Sequence, residues 1–235
     1  DLQLAFRQGK GERIRYFFQN QAQASGGKKR VVFAEGEEQK IIRAAYQIQE
    51  EGIATPILIG SKAVIENELK SLSFDYSPQI VDPNGFDKLE AYAKSYYEMR
   101  QRKGMTVNDA RKMVRDVNVL GSMMVKMGDA DAFVSGLTFD YPEVIRPALQ
   151  IHHTANGVAR AAGVYIMIVE EKVFLFTDAT VNIDPTAEDL AEIAILAADY
   201  AKKIELDPHV AFLSFSNFGS TPHPLSDKVR KAVGM

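Results

Sequence analysis

Apolar positions follow two rhythms along this chain. Val31-Val32-Phe33-Ala34 and Pro56-Ile57-Leu58-Ile59-Gly60 are short continuous runs of the kind that form strands buried on both faces. Between them Ile41, Ala44, Ala45 and Ile48 recur at helical spacing over 37–51, and Gly52 follows as a stop. Strand, helix and strand within about 30 residues make a βαβ unit, with parallel strands and a right-handed crossover. Helices are predicted next over 61–70, over 87–102 with Leu89, Tyr92, Ala93 and Tyr96 facing inward, over 106–116 from a capping box of Thr106 and Asp109, and over 119–127. Ala132-Phe133-Val134-Ser135-Gly136 reads as a buried strand, Pro142 as the first turn of a helix, and Pro147 as a kink or break in it.

Further on, 164–169 and 173–176 are rich in β-branched and aromatic residues on either side of Glu170-Glu171-Lys172, which predicts an antiparallel hairpin and hence a mixed sheet. Pro185 and Thr186-Ala187-Glu188-Asp189 open the clearest helix, striped by Leu190, Ile193, Ala194, Ala197, Ala201 and Ile204. Residues 210–215 read as a last strand, followed by a polar loop and a helical start at Leu225. Ahead of all this, 2–23 forms a weakly amphipathic helix and Ser25-Gly26-Gly27-Lys28-Lys29-Arg30 a linker. The fold class is therefore α/β, with mixed, mainly parallel sheets and flanking helices. A chain that starts at Asp1 and stops on a strand, loop and incipient helix reads as part of a longer protein, its last domain incomplete.

Composition narrows the partners. The 235 residues are 46% hydrophobic and 25% charged, ordinary values for a folded protein. Lys plus Arg is 28 against 31 for Asp plus Glu, a net charge of -3, so no basic field draws in nucleic acid or an anionic membrane. No apolar run approaches the roughly 20 residues of a membrane helix. The absence of cysteine excludes disulfides and thiolate chemistry and suits a cytoplasmic protein.

Three places carry candidate chemistry. The loop Ser214-Phe215-Ser216-Asn217-Phe218-Gly219-Ser220-Thr221 offers hydroxyls, an amide and an adaptable backbone beyond a strand's C-terminal end, where open α/β sheets bind ligands; a polar loop that merely caps a helix is the alternative. Ser135-Gly136-Leu137-Thr138 ends another strand, with Arg146 downstream as a bidentate partner for phosphate. Arg100, ahead of Arg102 and Lys103, is a further cationic point, or else a solvated helix C-terminus favoured by the dipole. His152 and His153 point about 100° apart on a helix and do not chelate together; Asp178, Asp184 and Asp189 match no metal loop, so no metal site is expected. Dinucleotide, Walker and serine-elbow signatures are absent, and the methionines at 105, 113, 123, 124 and 127 read as core filler.

Six segments in the same order resemble the phosphate acetyltransferases, also called phosphotransacetylases, and in particular the phosphotransacetylase-like C-terminal domain of bacterial NADP-dependent malic enzymes. They are Arg30-Val31-Val32-Phe33-Ala34-Glu35-Gly36-Glu37, the stretch Tyr97 to Thr106, Gly128 to Gly136, Arg146 to Ile151, Pro185 to Ala194, and Leu213 to Ser220. The resemblance implies two α/β subdomains around a cleft for coenzyme A, acetyl and phosphate groups, of the phosphotransacetylase and isocitrate-dehydrogenase-like kind, usually in a dimer. On that basis 1–29 is the N-terminal helix and linker, 30–155 the first subdomain and 156–235 the second. The resemblance makes Arg100 and Arg146 cleft arginines and Ser216, Asn217, Gly219 and Ser220 the phosphate loop; together with Ser135 and Thr138 at the strand end these are the expected acetyl-CoA and phosphate contacts, with no catalytic residue identified.

Two departures shape the functional expectation. Transferases usually read Ser-Thr-Lys-Gly-Ser where this chain has Ser216-Asn217-Phe218-Gly219-Ser220, and their late Ser-Arg pair and nearby Asp are not found here. His152 to Arg160 and Phe176 to Pro185 look more like the malic-enzyme version. The expectation is thus a regulatory and oligomerisation domain of an NADP-dependent malic enzyme, binding acetyl-CoA in an inactive transferase cleft. Its partners are then acetyl-CoA, the upstream malic enzyme domains and further copies of the chain, with NADP and a divalent metal confined to the upstream module. The alternatives are an active phosphate acetyltransferase and a ligand-free assembly scaffold.

Overall fold

The computed structural model describes residues 10–24, 26, 29–169 and 172–235. Helix α1 (Lys10–Ala24) lies in the N-terminal stretch, and Gln19 and Gln23 donate to the Glu51 carboxylate and carbonyl at 3.2 and 2.9 Å. Residues 1–9 of the expected helix, and Ser25, Gly27 and Lys28 of the expected linker, lie outside the described residues. Two compact units divide the chain: one comprises residues 19–153, the other residues 154–235 together with those before Gln19.

The first unit is built on a parallel sheet of β1 (Arg30–Phe33), β2 (Thr55–Ile59), β3 (Gln79–Val81) and β4 (Ala132–Val134), in the order β3-β2-β1-β4. Helices α2 (Gln39–Glu50) and α3 (Lys62–Ser71) make the first two crossovers; α4 (Leu89–Arg100), α5 (Val107–Met113) and α6 (Val117–Lys126) make the third, and α7 (Tyr141–His152) follows β4. Strand residues alternate between two cores because successive side chains point to opposite faces. Val32, Ile57, Ile59 and Val81 join Tyr92, Tyr96, Leu120 and Met123 on one side; Phe33 and Leu58 join Ile42, Ala45, Ile65 and Leu69 on the other. Both faces of the sheet are therefore covered by helices, which is why its strands read as unbroken apolar runs. The strand order reverses beside β1, so the crevice beyond the C-terminal ends of β1 and β4 is the topological switch point.

Local chemistry sets the helix starts. Thr106 and Asp109 form the expected reciprocal box, and Asp116 caps α6 by accepting from the backbone N–H of Asn118 and Val119 at 3.0 and 3.1 Å. Three features depart from the sequence pattern here. β3 has no signal in that pattern, because Gln79-Ile80-Val81 offers only two apolar residues in a row. β4 is not a buried strand: among the described residues it pairs with β1 alone, at the sheet's edge, and Ala132 and Val134 are exposed. Of the kink or break expected at Pro147, the break does not occur: α7 runs through it to His152. The proline forfeits a single backbone bond in the second turn, while the Asp140 and Glu143 box at the start and the buried Ile151 near the end hold the helix together.

In the second unit β5 (Val164–Val169) and β6 (Lys172–Thr177) pair antiparallel, Val169 opposite Lys172, so the hairpin is as expected although Glu170 and Glu171 lie outside the described residues. The pair forms a sheet of its own and does not join the parallel strands. Helix α8 (Ala187–Lys203) begins at a Thr186 and Asp189 capping box, packs on β6, and buries Ile193, Ala197 and Ala201. Helix α9 (Pro224–Val233) lies against α8, where Lys231 meets Glu188 at 2.6 Å. The strand expected over 210–215 is absent: the segment pairs with no neighbour among the described residues, and Leu213 is 87% exposed. β propensity needs a partner edge, and among the described residues no strand pairs with this segment. Among the described residues no helix is long and apolar enough to cross a membrane.

Candidate functional site

At the switch point of the first unit, the turn after β4 is tied to its neighbours by buried polar groups. Thr138 donates its hydroxyl to Glu35 at 3.0 Å, and the Gly136 N–H reaches the same carboxylate at 3.1 Å. Ser135 donates to the Asn118 side-chain oxygen at 2.6 Å. Gly136 has φ 112, a conformation open to glycine, and this lets the backbone curl its N–H groups towards one point. Burial alone raises the Glu35 carboxyl, but the N–H groups of Thr138, Leu137 and Gly136 and the Thr138 hydroxyl together hold it below the usual range. Ser135 and Thr138, both expected to contact a ligand, are thus brought together, with their hydroxyl protons already in use.

Arg100, at the end of α4, lines a cavity of about 400 Å³ with Lys103, Gly104, Met105, Asp109, Lys112 and Met113. Its Nε is buried without a hydrogen-bond partner. Asp109 is the one carboxylate in the lining, and its side chain is engaged by the Thr106 hydroxyl at 2.6 Å and the Thr106 N–H at 3.2 Å. The lining therefore carries three cations against one carboxylate, an excess of positive charge of the kind an anionic ligand requires. Arg146 lies exposed on α7, one turn before Gln150, which accepts from the Tyr96 hydroxyl at 3.3 Å.

In the second unit, residues 216–220 form a tight turn fastened to the protein by its own side chains. Ser216 is buried, accepts from the Thr221 N–H at 3.0 Å, and donates its own N–H to Ser214 at 3.1 Å. Its hydroxyl faces inward and shapes the turn. Asn217 and Ser220 are exposed, the backbone N–H of Ser220 closes on the Asn217 carbonyl at 3.0 Å, and Gly219 ends the 3₁₀ turn. Phe218 is fully exposed and holds left-handed backbone angles, φ 49 and ψ 31.

The acidic residues set aside for metal are engaged in turns and pairs. Asp178 accepts the backbone N–H groups of Gly163, Thr180, Val181 and Asn182, Asp184 accepts Lys228 at 2.8 Å, and Asp189 accepts Arg160 at 2.8 Å. Among the described residues no group of three or more His, Cys, Asp or Glu could hold a metal ion. Sequence reasoning missed Glu35, Asn118 and Lys112. The first two act through long-range contacts with the β4 turn, 101 to 103 and 17 residues away, and Lys112 joins Arg100 only because α5 folds back beside α4.

Comparison with known proteins places the fold. A phosphotransacetylase structure from Streptococcus pyogenes superposes with a TM-score of 0.86 at 40% identity, covering 94% of this chain and 68% of that one. A phosphate acetyltransferase of Clostridium acetobutylicum is 41% identical over 218 residues, 89% of this chain and 66% of that protein, so the chain spans just under two thirds of its relative's length. An NADP-dependent malic enzyme of Haemophilus influenzae is 37% identical over 217 residues, 90% of this chain but 29% of that protein. The expected assignment to a non-catalytic, regulatory domain of a malate oxidoreductase is corrected by these matches, since the stronger ones are acyltransferases. With residues 16–235 matching the family described as phosphate acetyl/butaryl transferase, the chain belongs to that family.

Proposed function

We propose that the protein is a phosphate acetyltransferase, which transfers an acetyl group between the sulfur of coenzyme A and inorganic phosphate. The observation that carries this reading is the 41% identity, over 89% of this chain, to a phosphate acetyltransferase. In the forward direction a phosphate oxygen attacks the thioester carbonyl, the carbon–sulfur bond breaks, and coenzyme A leaves as a thiolate that takes up a proton. Both substrates are anionic, so cations have to hold and orient them before the reacting atoms meet.

The cavity at Arg100 supports the reading. The Arg100 guanidinium, with Lys103 and Lys112, suits the phosphate groups of coenzyme A. Arg146 adds an exposed guanidinium on α7, and Asn217, Gly219 and Ser220 present backbone and side-chain donors in a turn made rigid by Ser216. Ser216 itself serves as a brace behind these contacts. The test is the formation of acetyl phosphate from acetyl-CoA and phosphate by the purified protein, followed by release of free thiol. Turnover that saturates in both substrates supports the assignment; protein that is folded and binds acetyl-CoA without releasing thiol overturns it.

A further inference from the structure

The β4 turn already holds an anion of the protein's own. Glu35 lies two residues beyond the end of β1, is 7% exposed, and places its carboxylate where the N–H groups of the 136–138 turn converge. Consecutive N–H groups curled in this way make a nest that elsewhere takes phosphate or a ligand carboxylate. Glu35 is held in place from its own side as well. The Gly36 N–H donates to the Ile59 carbonyl at 3.0 Å, and a Cβ at Gly36 would stand 2.7 Å from that oxygen. Glu37 in turn accepts the Ser61 N–H at 2.7 Å. Three successive residues thus fasten the C-terminal end of β1 to those of β2 and β4, across the switch point.

A carboxylate only accepts hydrogen bonds, so the Thr138 hydroxyl has to spend its single proton on Glu35. What the hydroxyl of this exposed residue can still offer a substrate is its lone pairs. Ser135 is in the same condition, its proton spent on Asn118. The diphosphate of coenzyme A offers only acceptors and would meet these oxygens, and the charge of Glu35 behind them, with repulsion. The groups that fit are neutral donors. Coenzyme A carries two amide N–H groups in its pantetheine arm, between its phosphates and its sulfur.

We propose that Glu35 is a positioning residue that turns the β4 loop into a binding point for a pantetheine amide N–H, with Thr138 as the acceptor. This rests on the reading of the protein as an acetyl-CoA-dependent transferase. It narrows the expected acetyl-CoA or phosphate contact at Thr138 to the neutral arm of the substrate, and leaves the phosphates to Arg100, Lys103 and Lys112.

The test uses the whole chain with acetyl-CoA. Thr138→Val keeps the shape and removes the acceptor; it should raise KM for acetyl-CoA about fivefold to tenfold, the worth of one hydrogen bond, and leave KM for phosphate within about twofold. Thr138→Ser should restore the wild-type value. An acetyl thioester whose pantetheine amide nitrogens are methylated should bind wild type and Thr138→Val equally. Glu35→Gln should weaken acetyl-CoA in the same way, and amide exchange at Gly136 and Thr138 should speed up while Val32 and Ile57 stay protected. A rise in KM for phosphate on Thr138→Val would show that the turn is an anion site and overturn the proposal, as would unchanged acetyl-CoA affinity. If wild type binds acetyl-CoA without turnover, the dissociation constants decide in place of KM and only the catalytic reading falls. If it does not bind at all, both fall. Should Glu35→Gln fail to fold, the Thr138 pair and the methylated analogue still decide between the two outcomes.

Discussion

Tyr92 donates its phenolic proton to Asp129 across 2.5 Å, and Lys88 closes on the carboxylate's other oxygen at 2.6 Å. The contact joins α4 to the loop that leads into β4, and so fixes the edge strand that carries the Ser135 to Thr138 turn. Burial raises the Asp129 carboxyl, but Lys88 and Tyr92 outweigh it and hold it below its usual value; burial and the facing carboxylate push the Tyr92 phenol well above its own.

Replacing Tyr92 by Phe should lower stability by about 1–2 kcal/mol at neutral pH, since it removes one hydrogen bond to a charged group and leaves the Lys88 pair intact. The melting temperature should fall by about 2–8 °C. The pH dependence has two sides. The depressed Asp129 contributes stability that is complete above about pH 4 and is lost as pH falls further; the raised Tyr92 contributes stability that is complete below about pH 10 and is lost as pH rises further. Urea midpoints measured across both ranges should therefore show a smaller loss at each end for Tyr92→Phe than for wild type. Equal slopes in the two proteins would mean that the pair does not couple to folding.

Tyr76 presents the opposite case. Its ring packs edge-on against Tyr46 at 5.6 Å in the core beneath α2 and α3, yet its hydroxyl is buried with no hydrogen-bond partner, and burial pushes the phenol up to about 12. Tyr76→Phe discards an unsatisfied polar group and keeps the ring, so it should stabilise the protein by about 1 kcal/mol. A raised phenol contributes stability below its unfolded value and loses it as pH climbs. The variant should therefore decline less than wild type between about pH 10 and about pH 12. Destabilisation at neutral pH would mean that the hydroxyl has a partner in solution.

The legible part of the fold is the part written in local pattern. The βαβ unit, the Thr106 and Asp109 capping box and the long α8 stripe are written in local pattern, and each forms where that pattern places it. The 210–215 segment shows where that reasoning ends: its β-branched and aromatic residues suit a strand, but a strand exists only through a neighbour, and sequence pattern does not name one. The site divides in the same way. Arg100 is legible as a cation, whereas its unpaired Nε and the company of Lys112 follow from how α4 and α5 pack. Ser216, Ser135 and Thr138 have the right chemistry for ligand contact, and only the three-dimensional structure reveals that their hydroxyls are already engaged.

Arg100 and Arg146 should separate binding from stability. Each alanine variant should raise KM for acetyl-CoA about tenfold or more if its guanidinium makes a charge-assisted contact, with the effect shrinking at high salt for the exposed Arg146. Melting temperatures should stay close to wild type. No carboxylate pairs with either arginine among the described residues, so folding forfeits no ion pair. A large thermal loss with unchanged KM would recast the residue concerned as structural and remove it from the site.

Phe218 stands where the resembling transferases usually carry Lys, between the exposed Asn217 and Gly219. Its side chain is fully exposed, and its backbone is left-handed at φ 49 and ψ 31. Lysine meets the same backbone restriction as phenylalanine, so Phe218→Lys changes the side-chain chemistry of the turn without adding new strain of that kind. A cation placed here, a few ångströms from an anion in partly wet surroundings, is worth on the order of 1 kcal/mol, which corresponds to a fall of about fivefold in KM for phosphate. Phosphate titrations at low and high ionic strength provide the check: the gain should shrink as salt rises, because an exposed charge is screened. Phe218→Leu, which removes the ring without adding charge, should give no such gain. If Phe218→Lys is folded and active yet leaves KM for phosphate unchanged at low salt, the 216–220 turn does not face phosphate, and Asn217, Gly219 and Ser220 lose their assigned role with it.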